Sequence, residues 1–314
     1  MPYKKKLICL LSIIAALSLV YALTIIFAPE RTGSRSDHYV WLDSKLAAQA
    51  ERIVIARTQE QTVELVKKNG RWFVLRNGIE YPARRARVED FTAVFTTRAA
   101  WPVRSSSASS HARLGLEEGT ASRVTIYGRN AVLLDLLFGN EDGYGREVNV
   151  RRYGQNEVRS GDNIVTSYLT GLENGWFNLR LIPESEDGGV TLDGVQRISV
   201  YSEGQTQIFS RGNGGWALSG LSAAGTDQSA VDAYVRVIIN TEGDDFVDFV
   251  SGDDPVFSNS RITLELGNGV IKTIFLSDQD ENGNRLAAAD SHVYLLSSWA
   301  AQRLFRNADS FETR

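Results

Sequence analysis

The chain has 314 residues, of which 43% are hydrophobic and 23% charged, with a formal net charge of −4 and one cysteine. This composition excludes a disordered tail or a fibrous repeat, and the charge leaves no footprint of a nucleic-acid binder. A lone Cys9 excludes an intrachain disulfide and a thiolate metal site.

Lys4, Lys5 and Lys6 precede an uncharged stretch from Leu7 to Ala28, mostly Leu, Ile, Ala, Val and Phe. At ~1.5 Å per residue a helix of this length covers the ~30 Å hydrocarbon core, and the stretch shows no polar face of period 3.6. Pro29 and the charged pair Glu30-Arg31 mark its end. Three of the seven lysines lie before it. The positive-inside rule therefore predicts a single-pass signal-anchor in the cytoplasmic (inner) membrane, with the C-terminal body extracytoplasmic. A cleaved signal peptide is the alternative, but it wants a shorter apolar region and small residues where Ile25-Ile26-Phe27 stands. A lipoprotein cysteine would follow the apolar stretch, whereas Cys9 sits at its other end. Without the lysine cluster the remainder is more acidic still. That suits a soluble body which does not adhere broadly to anionic lipid.

After a polar linker, Tyr39 to Arg52 has a helical cast around Trp41, Leu42 and Leu46. A pattern then begins and recurs. Strand-like Arg52–Ile55 is followed by the alternating run Thr62–Val66, the turn Asn69-Gly70 and the run Arg71–Leu75. Such runs around Asn-Gly read as antiparallel strands. Arg197–Val200, Gln205–Phe209, Gly214-Gly215 and Trp216–Leu218 repeat the order, with Ile53 to Ile198 offset by 145 and Trp72 to Trp216 by 144. Each copy continues with an amphipathic helix: Val88, Phe91, Val94 and Phe95 in the first; Val231, Tyr234, Val235 and Ile238 in the second. Pro82 suits the start of the first and Asp227 is an N-cap for the second. Hairpins over 123–138 and 261–276, strands at Glu147–Arg151 and His292–Leu296, and short helices near Ile164–Leu172 and Ser298–Phe305 complete the copies. Ser185–Gly189 is a polar, Gly-containing boundary.

The fold class expected is α+β: two tandem repeats of an antiparallel sheet with a covering helix, preceded by a single N-terminal transmembrane helix. The segments are 1–28 for the lysine cluster and anchor, 29–50 for a linker and lead-in helix, and 51–184 for the first repeat. A linker at 185–194 leads to a second, divergent repeat at 195–314.

Gly70-Arg71-Trp72, Tyr81-Pro82-Ala83, Leu114-Gly115-Leu116, Val124-Thr125-Ile126, Phe138-Gly139 and Val148-Asn149-Val150-Arg151 occur in this order. The series resembles the bacterial DUF4340 family of membrane-anchored proteins. Trp216 to Phe305 matches it more loosely, lacking the Pro, the Gly-Leu turn and the Val-Arg pair. The resemblance implies an accessory role at the outer face of a transporter, because such proteins are often encoded beside ABC-transporter components of the gliding-motility kind. It transfers no catalytic residue.

Among candidate sites, Asp278-Gln279-Asp280-Glu281-Asn282-Gly283 matches the first half of a calcium loop, with Asp278, Asp280 and Asn282 as oxygen ligands for Ca²⁺. Ala289 occupies the place of the bidentate Glu, and the flanks read as strands, so a solvated hairpin loop is the competing reading. Arg84, Arg85 and Arg87 cluster at the start of the first long helix as a phosphate or acidic-partner contact, or as a solvated face paired with Glu89 and Asp90. Asp244, Asp245, Asp248, Asp253 and Asp254 form an acidic patch without histidine. His38, His111 and His292 are isolated, and no nucleophile or phosphate-loop motif is present. Trp72, Trp101, Trp176, Trp216 and Trp299 read as core, with Trp176-Phe177 and Trp101 as alternative interface anchors.

The function expected is a non-enzymatic, membrane-anchored extracytoplasmic accessory protein without a resident cofactor. Its partner is an integral-membrane or envelope protein such as an ABC-transporter or surface-assembly component. The alternative is a small-molecule or polysaccharide binding module with its site between the repeats.

Overall fold

The computed structural model describes Leu17 and residues 38–57, 62–183 and 190–313. Apart from Leu17, the span expected over Leu7–Ala28 lies outside the described residues, as does the boundary at Ser185–Gly189. Among the described residues no helix is long and apolar enough to cross a membrane. The architecture is mixed and dominated by antiparallel sheets, with a few helices. It divides into two compact units, one holding the chain to Glu80 and Arg85–Glu173, the other Tyr81–Arg84 and the chain from Asn174.

The strands of the first sheet are β1 (Arg52–Ala56), β2 (Val63–Lys68), β3 (Arg71–Arg76), β4 (Ile79–Pro82), β5 (Val103–Ser105), β6 (Ser122–Tyr127), β7 (Val132–Glu141), β8 (Glu147–Arg152) and β9 (Val158–Asp162). They run in the order β4-β3-β2-β1-β6-β7-β8-β9-β5. The period-2 pattern fixes the register. Ile53 and Ile55 face Leu65 and Val63 on one side, and Ile126 and Val124 on the other, which puts six fully buried side chains in one patch. Helix α1 (Arg85–Thr96) buries Val88, Phe91 and Phe95, and each such side chain contributes about 1.5–3 kcal/mol on leaving water.

The lead-in segment departs from the helix expected over Tyr39–Arg52. Only Ser44–Ala47 is helical, capped by Asp43, while His38–Tyr39 pairs with Ala99–Ala100. The N–H groups of Trp41 and Leu42 both donate to the Phe95 carbonyl at 3.1 and 3.0 Å. These bonds hold the chain extended past the end of α1, and burial of Trp41 and Leu42 outweighs local helix propensity.

The second unit contains β10 (Val195–Ser202), β11 (Gln205–Gly212), β12 (Gly215–Leu218), β13 (Asp245–Phe246), β14 (Ser260–Leu266), β15 (Ile271–Leu276), β16 (Arg285–Ala289) and β17 (His292–Leu296). Their order, β12-β11-β10-β14-β15-β16-β17-β13, is that of the first sheet without β4. In both, the first strand of an N-terminal meander, four strands long in the first sheet and three in the second, pairs with the first strand of a four-strand meander. A short strand following the long helix closes the far edge. Two helices, α2 (Thr166–Thr170) in the first unit and α4 (Ser298–Leu304) in the second, follow the last strand of their sheets.

Between β12 and β13 runs α3 (Gln228–Ile239), which buries Val231, Tyr234, Val235 and Ile238. Its N-cap Asp227 accepts from the N–H groups of Ser229 and Ala230 at 2.9 and 3.1 Å. Tyr81–Arg84 joins this unit by backbone bonds. Pro82 accepts from Asn178 N–H and Trp176 from Arg84 N–H, both at 2.7 Å, and the Tyr81 ring stacks on Phe246 at 4.4 Å.

Candidate functional site

The residues singled out by sequence go to separate places. Arg84 belongs to the second unit and pairs with Glu242 at 3.0 Å. Arg85 pairs with Glu89 one turn along α1 at 2.7 Å. Arg87 lies 5.0 Å over the Tyr168 ring and donates to the Ser167 carbonyl at 3.4 Å.

Asp278, Asp280 and Asn282 lie in the loop between β15 and β16. Asp280 Oδ1 accepts the N–H groups of Asn282 and Asn284 at 2.9 and 2.8 Å, while Asp278 Oδ2 accepts from Asn259 at 2.9 Å. Asp280 is exposed; desolvation by its neighbours disfavours the charged form, but the combined donors of Asn284, Asn282 and Gly283 prevail and hold its pKa below the usual carboxylate range. Asp142 has the same role between β7 and β8, where the N–H groups of Arg146 and Glu147 lower its pKa. Among the described residues no group of three or more His, Cys, Asp or Glu is placed to hold a metal ion.

The acidic patch is likewise divided among local tasks. Asp254 caps a short helical turn through Val256 N–H, Asp245 accepts from Phe246 N–H, and Asp248 accepts from the Tyr81 hydroxyl. His111 meets the Asn156 carbonyl and His292 the Asp290 carbonyl.

The tryptophans correct the core reading in part, and Trp72 is only half-buried. Trp41, Trp101, Trp176 and Trp216 are buried, as is Phe177, so Trp101 and Trp176-Phe177 are core rather than surface anchors. Trp299 is 67% exposed. Helix α4 buries Ala300, Ala301 and Leu304, and its period places Trp299 on the opposite side.

Trp299 stands at a groove of about 600 Å³ in the second unit. One wall is the outer stripe of α3, including Arg236, with Asn240 at its C-cap; the other is α4, with Trp299 and Arg303 one turn apart; the segment Thr241–Asp244 also lines the groove. The Arg303 guanidinium lies 4.4 Å from the Trp299 ring centroid, a cation–π arrangement that i,i+4 spacing permits.

Several lining groups are already engaged. Glu242 lies between Arg84 at 3.0 Å and Arg180 at 3.5 Å. The Asn240 amide donates to the Arg236 carbonyl at 2.8 Å and accepts from Arg180 at 3.1 Å. The guanidiniums of Arg236 and Arg303 and the carboxylate of Asp244 form no ion pair with a described residue. This constellation was legible only as a Trp and an Arg four residues apart on a helix with an Ala-Ala-Leu inner face, a signal hidden by the tryptophans that recur in the repeats.

Neither the curated proteins nor the solved structures contain a match to the chain. A family model matches more than half of it, from the Trp72 strand through α3 to Val256, and the chain belongs to the family defined by that domain of unknown function, DUF4340, spanning residues 72–256.

Proposed function

We propose that this protein is a non-enzymatic binding protein, held at the outer face of the bacterial cytoplasmic membrane by the apolar segment Leu7–Ala28 and serving as an accessory to an ABC-transporter or surface-assembly component. The observation that carries the binding role is the groove with Trp299 exposed at its rim. Its uncommitted groups are arginines, a carboxylate and an aromatic face. Arginine stays protonated and binds anions but does not relay protons at neutral pH, and the second carboxylate, Glu242, is held by two arginines. Such a set fixes a ligand without providing an acid–base pair.

The common strand order of the two sheets supports reading the body as one α+β unit written twice. The lysine cluster before Leu7 supports the outward topology. The test is affinity purification of the tagged full-length chain from its native membrane in mild detergent, after cross-linking in intact cells. Reproducible recovery of an integral-membrane or envelope protein supports the accessory role, and recovery of the bait alone overturns it. Protease added to spheroplasts is expected to digest the body; protection with cytosolic markers intact would invert the topology.

A further inference from the structure

We infer that the groove of the second unit binds an acidic saccharide, a chain bearing uronic-acid carboxylates. The inference rests on the reading that this groove binds rather than catalyses, and it names the ligand class.

The argument is an inventory of what the groove leaves unsatisfied. Arg236 and Arg303 are donors only, so they call for an anionic acceptor, and the planar guanidinium fork matches a carboxylate. Their lack of an ion pair is notable because residues 174–314 contain twenty Asp and Glu against ten Lys and Arg. Asp244 is an acceptor only and calls for hydroxyl donors. The hydroxyl of Ser297, at the base of α4, has no partner among the described residues and serves either role. Trp299 offers an apolar face whose negative quadrupole attracts the C–H groups lining one side of a pyranose ring. A ligand with sparse carboxylates, many hydroxyls and a flat C–H face satisfies all five groups.

Two rivals fit less well. A nucleotide would also stack on Trp299, but its polyphosphate would bring several negative charges against Asp244. A peptide would need main-chain partners along an extended stretch, and three N–H groups of the Asn240–Asp244 wall are already paired. Gly243 N–H donates to the Leu179 carbonyl and Asp244 N–H to the Leu295 carbonyl, both at 2.8 Å, while Asn240 N–H donates to Arg236 at 3.1 Å. Recognition on that wall falls mainly to side chains, and the volume suits a few sugar units.

The experiment titrates the purified full-length protein in detergent with tetragalacturonate. The neutral comparison is galactotetraose, with an acidic hexapeptide and ATP as the rival classes, and binding is followed by calorimetry. Tetragalacturonate is expected to bind at least about tenfold more tightly than each of the other three. Trp299→Ala is expected to abolish binding, and Arg236→Gln with Arg303→Gln to remove the preference for the charged over the neutral sugar. Trp299 and both arginines are exposed, so these variants should melt within about 2 °C of the parent.

Equal binding of charged and neutral sugar, unchanged binding by Trp299→Ala, or tighter binding of the peptide or ATP each overturns the assignment. Failure here with a partner still recovered from membranes leaves the accessory role standing. Success here with no partner recovered removes that role and keeps the saccharide site.

Discussion

The carbonyl of Leu114 accepts the backbone N–H of Asn140 at 2.9 Å, at a point where Gly115 and Gly139 let two backbones approach without side chains between them. A Cβ on Gly139 would stand 2.2 Å from the Leu114 oxygen, and one on Gly115, whose φ is +71°, would stand 2.8 Å from the Asn140 nitrogen. Arg151 reaches the same turn, donating from Nε to the Leu116 carbonyl at 3.1 Å. Leu114-Gly115-Leu116, Phe138-Gly139 and the Val-Asn-Val-Arg strand are therefore one interlocked feature, which gives a physical reason for these motifs to occur together.

Gly139→Ala should be strongly destabilising because its obstacle is backbone, which a rotamer change cannot relieve. The expected loss is about 2–3 kcal/mol, read from urea unfolding of the body. Gly143→Ala is the control. No atom lies within 4 Å of a Cβ there, and its effect should stay within about 0.5 kcal/mol.

Arg151 is 5% exposed and donates through Nη1 to the carbonyls of Gln155 and Arg152 at 3.2 and 3.4 Å as well as to Leu116. Its nearest carboxylate, Glu118, is 3.9 Å away and mostly exposed, so the carbonyls rather than an ion pair satisfy the cation. Arg151→Met is expected to leave buried carbonyls without donors and to cost about 2–4 kcal/mol. Glu118→Gln should cost under about 1 kcal/mol. Equal losses for the two variants would mean that the ion pair governs.

Most meander strands, both long helices and the cap at Asp227 were legible because each rests on local chemistry, whereas β4, β9 and β16 were not read from the sequence. Alternation set the faces of β1 and β2, Asn69-Gly70 the turn after β2, and 3.6-residue spacing the buried stripe of α3. Three features were not legible, because distant contacts decide them. The extended path of Trp41-Leu42 depends on Phe95, the pairing of Arg84 on Glu242, and the exposure of Trp299 on which side of α4 meets the core. Repetition also misled: a tryptophan at a matching position is buried at Trp216, while the tryptophan of the last helix faces outward.

Trp216 is 2% exposed and its indole N–H donates to Asp232 on α3 at 2.9 Å, which ties β12 to the helix. A double-mutant cycle with Trp216→Phe and Asp232→Ala should return a coupling of about 0.5–1.5 kcal/mol. Strict additivity would show that the bond contributes nothing beyond packing of the ring.

The caps impose a sign on acid sensitivity. Asp227 is held below the usual carboxylate range first by the Ser229 hydroxyl, then by Ala230 N–H, against opposing desolvation. Because its folded pKa is depressed, it binds fewer protons in the folded than in the unfolded state. Its contribution is therefore fully present above the unfolded value near ~3.9 and is lost as pH falls through the lower folded value. Asp142 acts in the same direction in the first unit. The melting temperature of the body should thus fall with acidification below about pH 4. Asp227→Asn keeps an N-cap acceptor while removing the titration, so its melting curve should flatten over that range. A variant whose acid dependence matches the parent would show that Asp227 does not contribute to it.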